Sequence, residues 1–108
     1  FILLRADMDA PFKIGFPNPR GWLAYWWNGN LFVKHADYKL NAEYYDYGSS
    51  SETYCNQEFI ELETLAPIGK IPPGGMAMHV ERWELYEGIG RPSDEEEARL
   101  LAEKLDLS

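Results

Sequence analysis

Residues 58–67 read Glu-Phe-Ile-Glu-Leu-Glu-Thr-Leu-Ala-Pro, which sets carboxylates at positions 61 and 63 between apolar neighbours. In a strand, successive side chains alternate faces. Glu61 and Glu63 then share one face, with Cβ atoms about 6.5–7 Å apart, while Ile60 and Leu62 share the other. Two carboxylates so placed suit recognition of sugar hydroxyls. They also suit acid–base chemistry, in which crowding and burial make one carboxyl hold its proton. The pattern alone favours a plainer account, a solvated outer face. His79 and Glu81 also share a strand face, and His35 stands two residues before Asp37. Either pair could begin a metal site, but zinc takes three or four ligands. Two histidines without HExxH spacing point instead to ordinary hydrogen-bonded rings.

Aromatic density is the second chemical feature. Trp22, Trp26, Trp27, Trp83 and seven tyrosines carry apolar faces with polar tips, which stack well on sugar C–H surfaces. Aromatics on strands are usually core, so the polar run Tyr44-Tyr45-Asp46-Tyr47 is the better candidate for a binding rim, with Tyr45 in it. Cys55 is alone, which rules out an internal disulfide and a cysteine-based zinc site. No Gly-x-Ser-x-Gly, phosphate-loop or dinucleotide fingerprint is present, and no cofactor is expected.

The elements that must position these residues are short. Aromatic and β-branched runs alternate with Gly, Pro and Asn clusters through residue 87, the habit of antiparallel β structure. Gly21–Trp27 and Leu31–Ala36 flank Asn28-Gly29-Asn30, and Asn-Gly supplies the positive φ of a tight hairpin. Large apolar groups on both faces of Trp22–Trp27 predict a central strand covered on two sides. A short strand is expected at Phe12–Phe16, with further strands near Ser51–Asn56 and Phe59–Leu65. Gly48-Ser49-Ser50-Ser51 reads as a loop, and Met76–Glu87 as one long strand. The tail is helical: Ser93 with Glu96 makes a capping-box pattern, and Ala98, Leu101, Ala102 and Leu105 recur at helical spacing. A helix over 93–105 is predicted, with an apolar stripe that docks on a sheet or a partner.

A chain of 108 residues has room for one domain and one core, here a β part over 1–90 followed by the helix. Hydrophobic content of 45% is too high for disorder even at a net charge of −8. That charge, with scattered basic residues, excludes nucleic acid as a partner. No apolar run approaches the length of a membrane span. A lone thiol fits a reducing cytoplasm. The start at Phe1 suggests a processed or excised chain, so a missing N-terminal domain or a second copy is expected to cover what the sheets leave bare.

The blocks Gly21-Trp22-Leu23-Ala24-Tyr25, Leu31-Phe32-Val33-Lys34, Phe59-Ile60-Glu61-Leu62-Glu63-Thr64-Leu65, Pro72-Pro73-Gly74-Gly75 and His79-Val80-Glu81-Arg82-Trp83-Glu84-Leu85 follow one another in order. Together they resemble the C-terminal stretch of galactose-mutarotase-like proteins, the superfamily of aldose 1-epimerases, and in particular an uncharacterised bacterial branch of it. The resemblance spans residues 21–86 of the 108. It implies part of a mutarotase-like supersandwich, an antiparallel β-sandwich or curved sheet with one C-terminal helix. It also implies a monosaccharide or sugar derivative as ligand. Glu63 falls on the family's general-base position, in a Leu-Glu-Thr motif. Glu61, His79, Glu81, Trp83 and Tyr45 are the substrate-binding candidates beside it. Leu65 stands where the family has glutamine, and the histidines that act as acid and anchor lie upstream of anything in this chain. The implied function is carbohydrate binding with an incomplete epimerase-type site. A non-catalytic interaction or oligomerisation module is the other reading.

Overall fold

A computed structural model describes residues 1–107. Among the described residues, six strands form two three-stranded antiparallel sheets, and one helix follows them. The first sheet orders β1 (Phe12–Phe16), β4 (Ser51–Cys55) and β5 (Ile60–Thr64) with β4 in the middle. The second orders β2 (Trp22–Trp27), β3 (Asn30–Ala36) and β6 (Glu81–Tyr86) with β3 in the middle. A single left-handed turn, α1 (Tyr45–Gly48), precedes β4, and α2 (Glu95–Lys104) closes the chain. Among the described residues no helix is long and apolar enough to cross a membrane.

Trp27 faces Asn30 in the β2–β3 register, so the hairpin loop is the two residues Asn28 and Gly29. Both have positive φ, 48° and 82°, as the twist of a two-residue hairpin demands. The prediction of β2 as a central strand is corrected: β2 lies at the sheet edge, and β3 holds the centre. One face of β2 and β3 meets α2 instead of a second sheet. Leu31, Val33, Ala102 and Leu107 are the buried centre, with Trp22, Ala24, Trp26, Leu101 and Leu105 packed around it. The predicted apolar stripe of the helix therefore docks on the second sheet.

Two other expectations change, and a third gains detail. Ser93 is not the helix cap: Asp94 is, and its Oδ1 accepts from the Glu97 N–H at 2.8 Å. Glu97 reaches back past the cap to accept from the Ser93 N–H at 2.8 Å, so the box is shifted by one residue. The strand predicted over Met76–Glu87 shrinks to Glu81–Tyr86. Its neighbour β3 ends at Ala36, opposite Glu81, and residues 76–80 pair with no strand among the described residues. The serine run is a loop at Ser49 and Ser50, as expected, and it is a buried one. Ser49, Ser50 and Ser51 are buried, and Ser51 opens the central strand of its sheet. Small hydroxyl side chains fit there because each finds a partner. Ser49 Oγ donates to the Asp46 carbonyl, while Ser50 and Ser51 Oγ accept from the Asn18 backbone N–H and side-chain amide.

Candidate functional site

Two polar clusters meet at β5, one on each of its faces. The first surrounds Glu63. In the β4–β5 register Glu63 stands directly across from Glu52, and Lys13 of β1 bridges them. Its Nζ lies 3.4 Å from Glu52 Oε2 and 3.6 Å from Glu63 Oε2. The Glu52 side chain is only 6% exposed, against 37% for Glu63. Gly15 makes the space, since a Cβ there would sit 2.6 Å from Ser49 Oγ and 3.2 Å from Glu52 Oε1. The Asp46 carboxyl beside Glu52 pushes its pKa above the ordinary value. Burial adds to this, and the Lys13 ammonium opposes it without cancelling it. The same two glutamates hold the Lys13 pKa up.

Asp46 reaches Glu52 because α1 winds left-handed. Asp46 and Tyr47 have φ of 52° and 61°, and Gly48 follows at 85°. Left-handed residues with a Cβ each cost roughly 1–2 kcal/mol. The turn is tied at its end by the Ser49 N–H to the Tyr45 carbonyl at 2.9 Å and by the Ser49 hydroxyl to the Asp46 carbonyl at 2.7 Å. Tyr45 lies on this turn and is exposed, so it sits at the Asp46 end of the first cluster. Glu61 shares the Glu63 face by alternation, opposite Tyr54, but is exposed and makes no ion pair among the described residues.

The second cluster gathers around Thr64, the residue after Glu63, which faces the other way. Thr64 Oγ1 donates to Glu81 Oε2 at 2.5 Å and lies 2.8 Å from His79 Nε2. Lys34 Nζ pairs with Glu81 at 3.4 Å and donates to the Leu62 carbonyl at 2.8 Å, which links the two sheets. Trp83 Nε1 points to Glu81 Oε1 at 3.4 Å. Burial alone would raise the Glu81 pKa. The Thr64 hydroxyl, the Lys34 charge and the Trp83 N–H outweigh it and hold the carboxyl below its ordinary range. The Trp83 ring stands edge-on to Phe32, with centroids 5.5 Å apart at 80°, and Lys34 Nζ lies 5.8 Å from its centroid. The indole is 65% exposed, and Leu85 and Trp27 on the same sheet face are also open to solvent.

The sequence candidates thus divide. His79, Glu81 and Trp83 come together, whereas Glu63, Glu61 and Tyr45 lie on the other side of β5. Sequence reasoning missed Lys34, Thr64, Phe32, Lys13, Glu52 and Asp46 as members of these clusters. Lys34 carried one available signal, a charge in phase with Phe32 on an otherwise apolar strand. Glu52 carried none, because a glutamate after three serines reads as surface. Among the described residues no group of three or more His, Cys, Asp or Glu is arranged to hold a metal ion. No family model, curated protein or solved structure matches the chain.

Proposed function

We propose that the chain binds a monosaccharide or sugar derivative on the open face of the second sheet, against Trp83. The observation that carries this reading is an exposed indole face beside a converging set of hydrogen-bonding groups, Thr64, His79, Glu81 and Lys34. A pyranose presents apolar C–H faces and a rim of hydroxyls, and this surface offers a counterpart to each. Phe32 holds the indole upright, which lowers the entropy lost on stacking. The Glu81 carboxylate and Leu62-tethered Lys34 supply an acceptor and a donor of fixed position. The resemblance to the mutarotase-like superfamily supports the same ligand class.

Ring opening is not part of the proposal. Glu63 is paired with Lys13 on the opposite side of β5 from Trp83, so the base position and the stacking platform do not face one space. The test is an NMR titration with several hexoses on wild type, Trp83→Ala, Glu81→Gln and Glu63→Gln. Shifts should appear at 34, 64, 81 and 83. They should vanish in Trp83→Ala, weaken in Glu81→Gln and persist in Glu63→Gln. Wild-type spectra unchanged by every hexose, or shifts insensitive to Trp83→Ala, would refute the reading.

A further inference from the structure

β6 is the outermost strand of its sheet, and of the features that blunt such an edge it carries charges alone, Glu81, Arg82 and Glu84. It contains no proline, bulge or lysine, and it exposes Trp83 and Leu85 at 65% and 70%. The hydrogen-bond phase of the sheet follows from one bond, Ala36 N–H to Gly21 carbonyl at 2.9 Å. Antiparallel ladders alternate, so Phe32, Lys34 and Ala36 bond towards β2 while Leu31, Val33 and His35 bond towards β6. Arg82, Glu84 and Tyr86 answer them. The N–H and C=O groups of Glu81, Trp83 and Leu85 therefore point outward, away from the sheet.

We infer that this edge pairs with the same edge of a second copy of the chain, antiparallel and centred on Trp83. Arg82 and Glu84 pair with each other within the strand, and by exchanging partners across a two-fold axis the same two charges choose both the partner and the register. Centred on Trp83, a two-fold arrangement sets Arg82 opposite Glu84 of the second copy and Glu84 opposite its Arg82, two opposite-charge cross-strand pairs on one face. The same register places His79 opposite Glu87. Moving the centre to Arg82 or Glu84 sets like charges against each other. Trp83 then exchanges both backbone hydrogen bonds with its symmetry mate, and Glu81 pairs with Leu85 on either side. The result is a continuous six-stranded sheet of order β2-β3-β6-β6-β3-β2. The exposed ion pairs set register more than affinity. Backbone bonding along the edge supplies the attraction. The inference does not depend on sugar binding, since it uses the backbone edge and the Arg82–Glu84 face.

Sedimentation equilibrium at high micromolar concentration tests it, with amide exchange followed residue by residue. Wild type should run as a dimer, with the Trp83 and Leu85 amides protected although no strand of their own chain bonds them. Arg82→Glu sets two carboxylates against each other on both sides of the centre and should weaken the dimer at least about tenfold. The charge-reversed double variant Arg82→Glu/Glu84→Arg restores complementary pairs and should restore the dimer. A monomer mass at every concentration overturns the inference. So does a dimer indifferent to Arg82→Glu, or one in which the Trp83 and Leu85 amides exchange freely.

Discussion

Glu52 and Glu63 face each other across β4 and β5, yet only Glu52 is sealed from water. Its folded-state pKa is raised, first by the Asp46 carboxyl and then by burial, so the native state holds this proton more tightly than the unfolded chain does. By linkage, that contribution to stability is complete below the unfolded pKa, near 4.5, and is lost as pH rises through the folded value. Glutamine has nearly the same shape and never ionises. Glu52→Gln should therefore match wild type in acid and gain on it steadily as pH rises above about 4.5. Urea denaturation of both proteins across that range checks this. A wild type that gains on the variant with rising pH would mean that the Lys13 ion pair outweighs Asp46 and burial. Glu81 has the opposite sign. Held low by Thr64, Lys34 and Trp83, it stabilises above its unfolded pKa and loses that contribution as pH falls through the folded one.

At the scale of elements, α2 is held at both ends and along one face. Asp94 caps it, Glu95, Glu96 and Glu97 fill the first turn, and Lys104 sits in the last, all favourable to the helix dipole. Arg99 adds pairs with Glu96 at 2.6 Å and Glu103 at 2.8 Å, both exposed and screened by solvent. Asp94→Ala should cost about 1 kcal/mol, measured by thermal or chemical denaturation. Ser93→Ala should cost almost nothing, because Ser93 contributes its backbone N–H and not its hydroxyl to the cap. Equal losses in both variants would return the cap to Ser93. The apolar spacing of α2 was legible in the sequence. The choice between Ser93 and Asp94, adjacent residues with equal capping ability, depends on backbone dihedrals that the residue types do not reveal.

On the scale of the whole molecule, the two sheets are joined by polar links at β4 and β5. Lys34 Nζ reaches the Leu62 carbonyl and Glu81, Thr64 ties to Glu81 and His79, and the Asn18 amide spans the Trp22 carbonyl and Ser51 Oγ. Lys34 is 15% exposed, so its removal leaves a carbonyl and a carboxylate with little water to replace it. Lys34→Met should cost about 1–3 kcal/mol in urea denaturation and should blur the cooperativity between the sheets. Probes on Tyr54 in the first sheet and Trp26 in the second should then report separate transitions. Coincident transitions with an unchanged midpoint would show that the sheets are joined by something other than this lysine.

Local residue preferences determined most elements of this protein without help from the fold. Asn28-Gly29 forces a hairpin because both residues accept positive φ, and the alternation in Ile60–Thr64 makes a strand whatever lies beside it. The spacing of Ala98, Leu101, Ala102 and Leu105 makes a helix for the same reason, since period is a property of the chain itself. Strand order and pairing length are not. Trp22–Trp27 reads as a covered central strand, but hydrophobicity on two faces does not say whether a helix, a sheet or solvent meets each of them. Met76–Val80 has the composition of a strand and lies unpaired because the strand beside it, β3, ends at Ala36. The site depended most on tertiary structure. Glu63 and Thr64 are adjacent in the chain, yet the pleat sends one to Lys13 and Glu52 and the other to His79, Glu81 and Lys34. Sequence proximity cannot decide which side of a strand a distant residue will approach. That choice belongs to the packing of the two sheets.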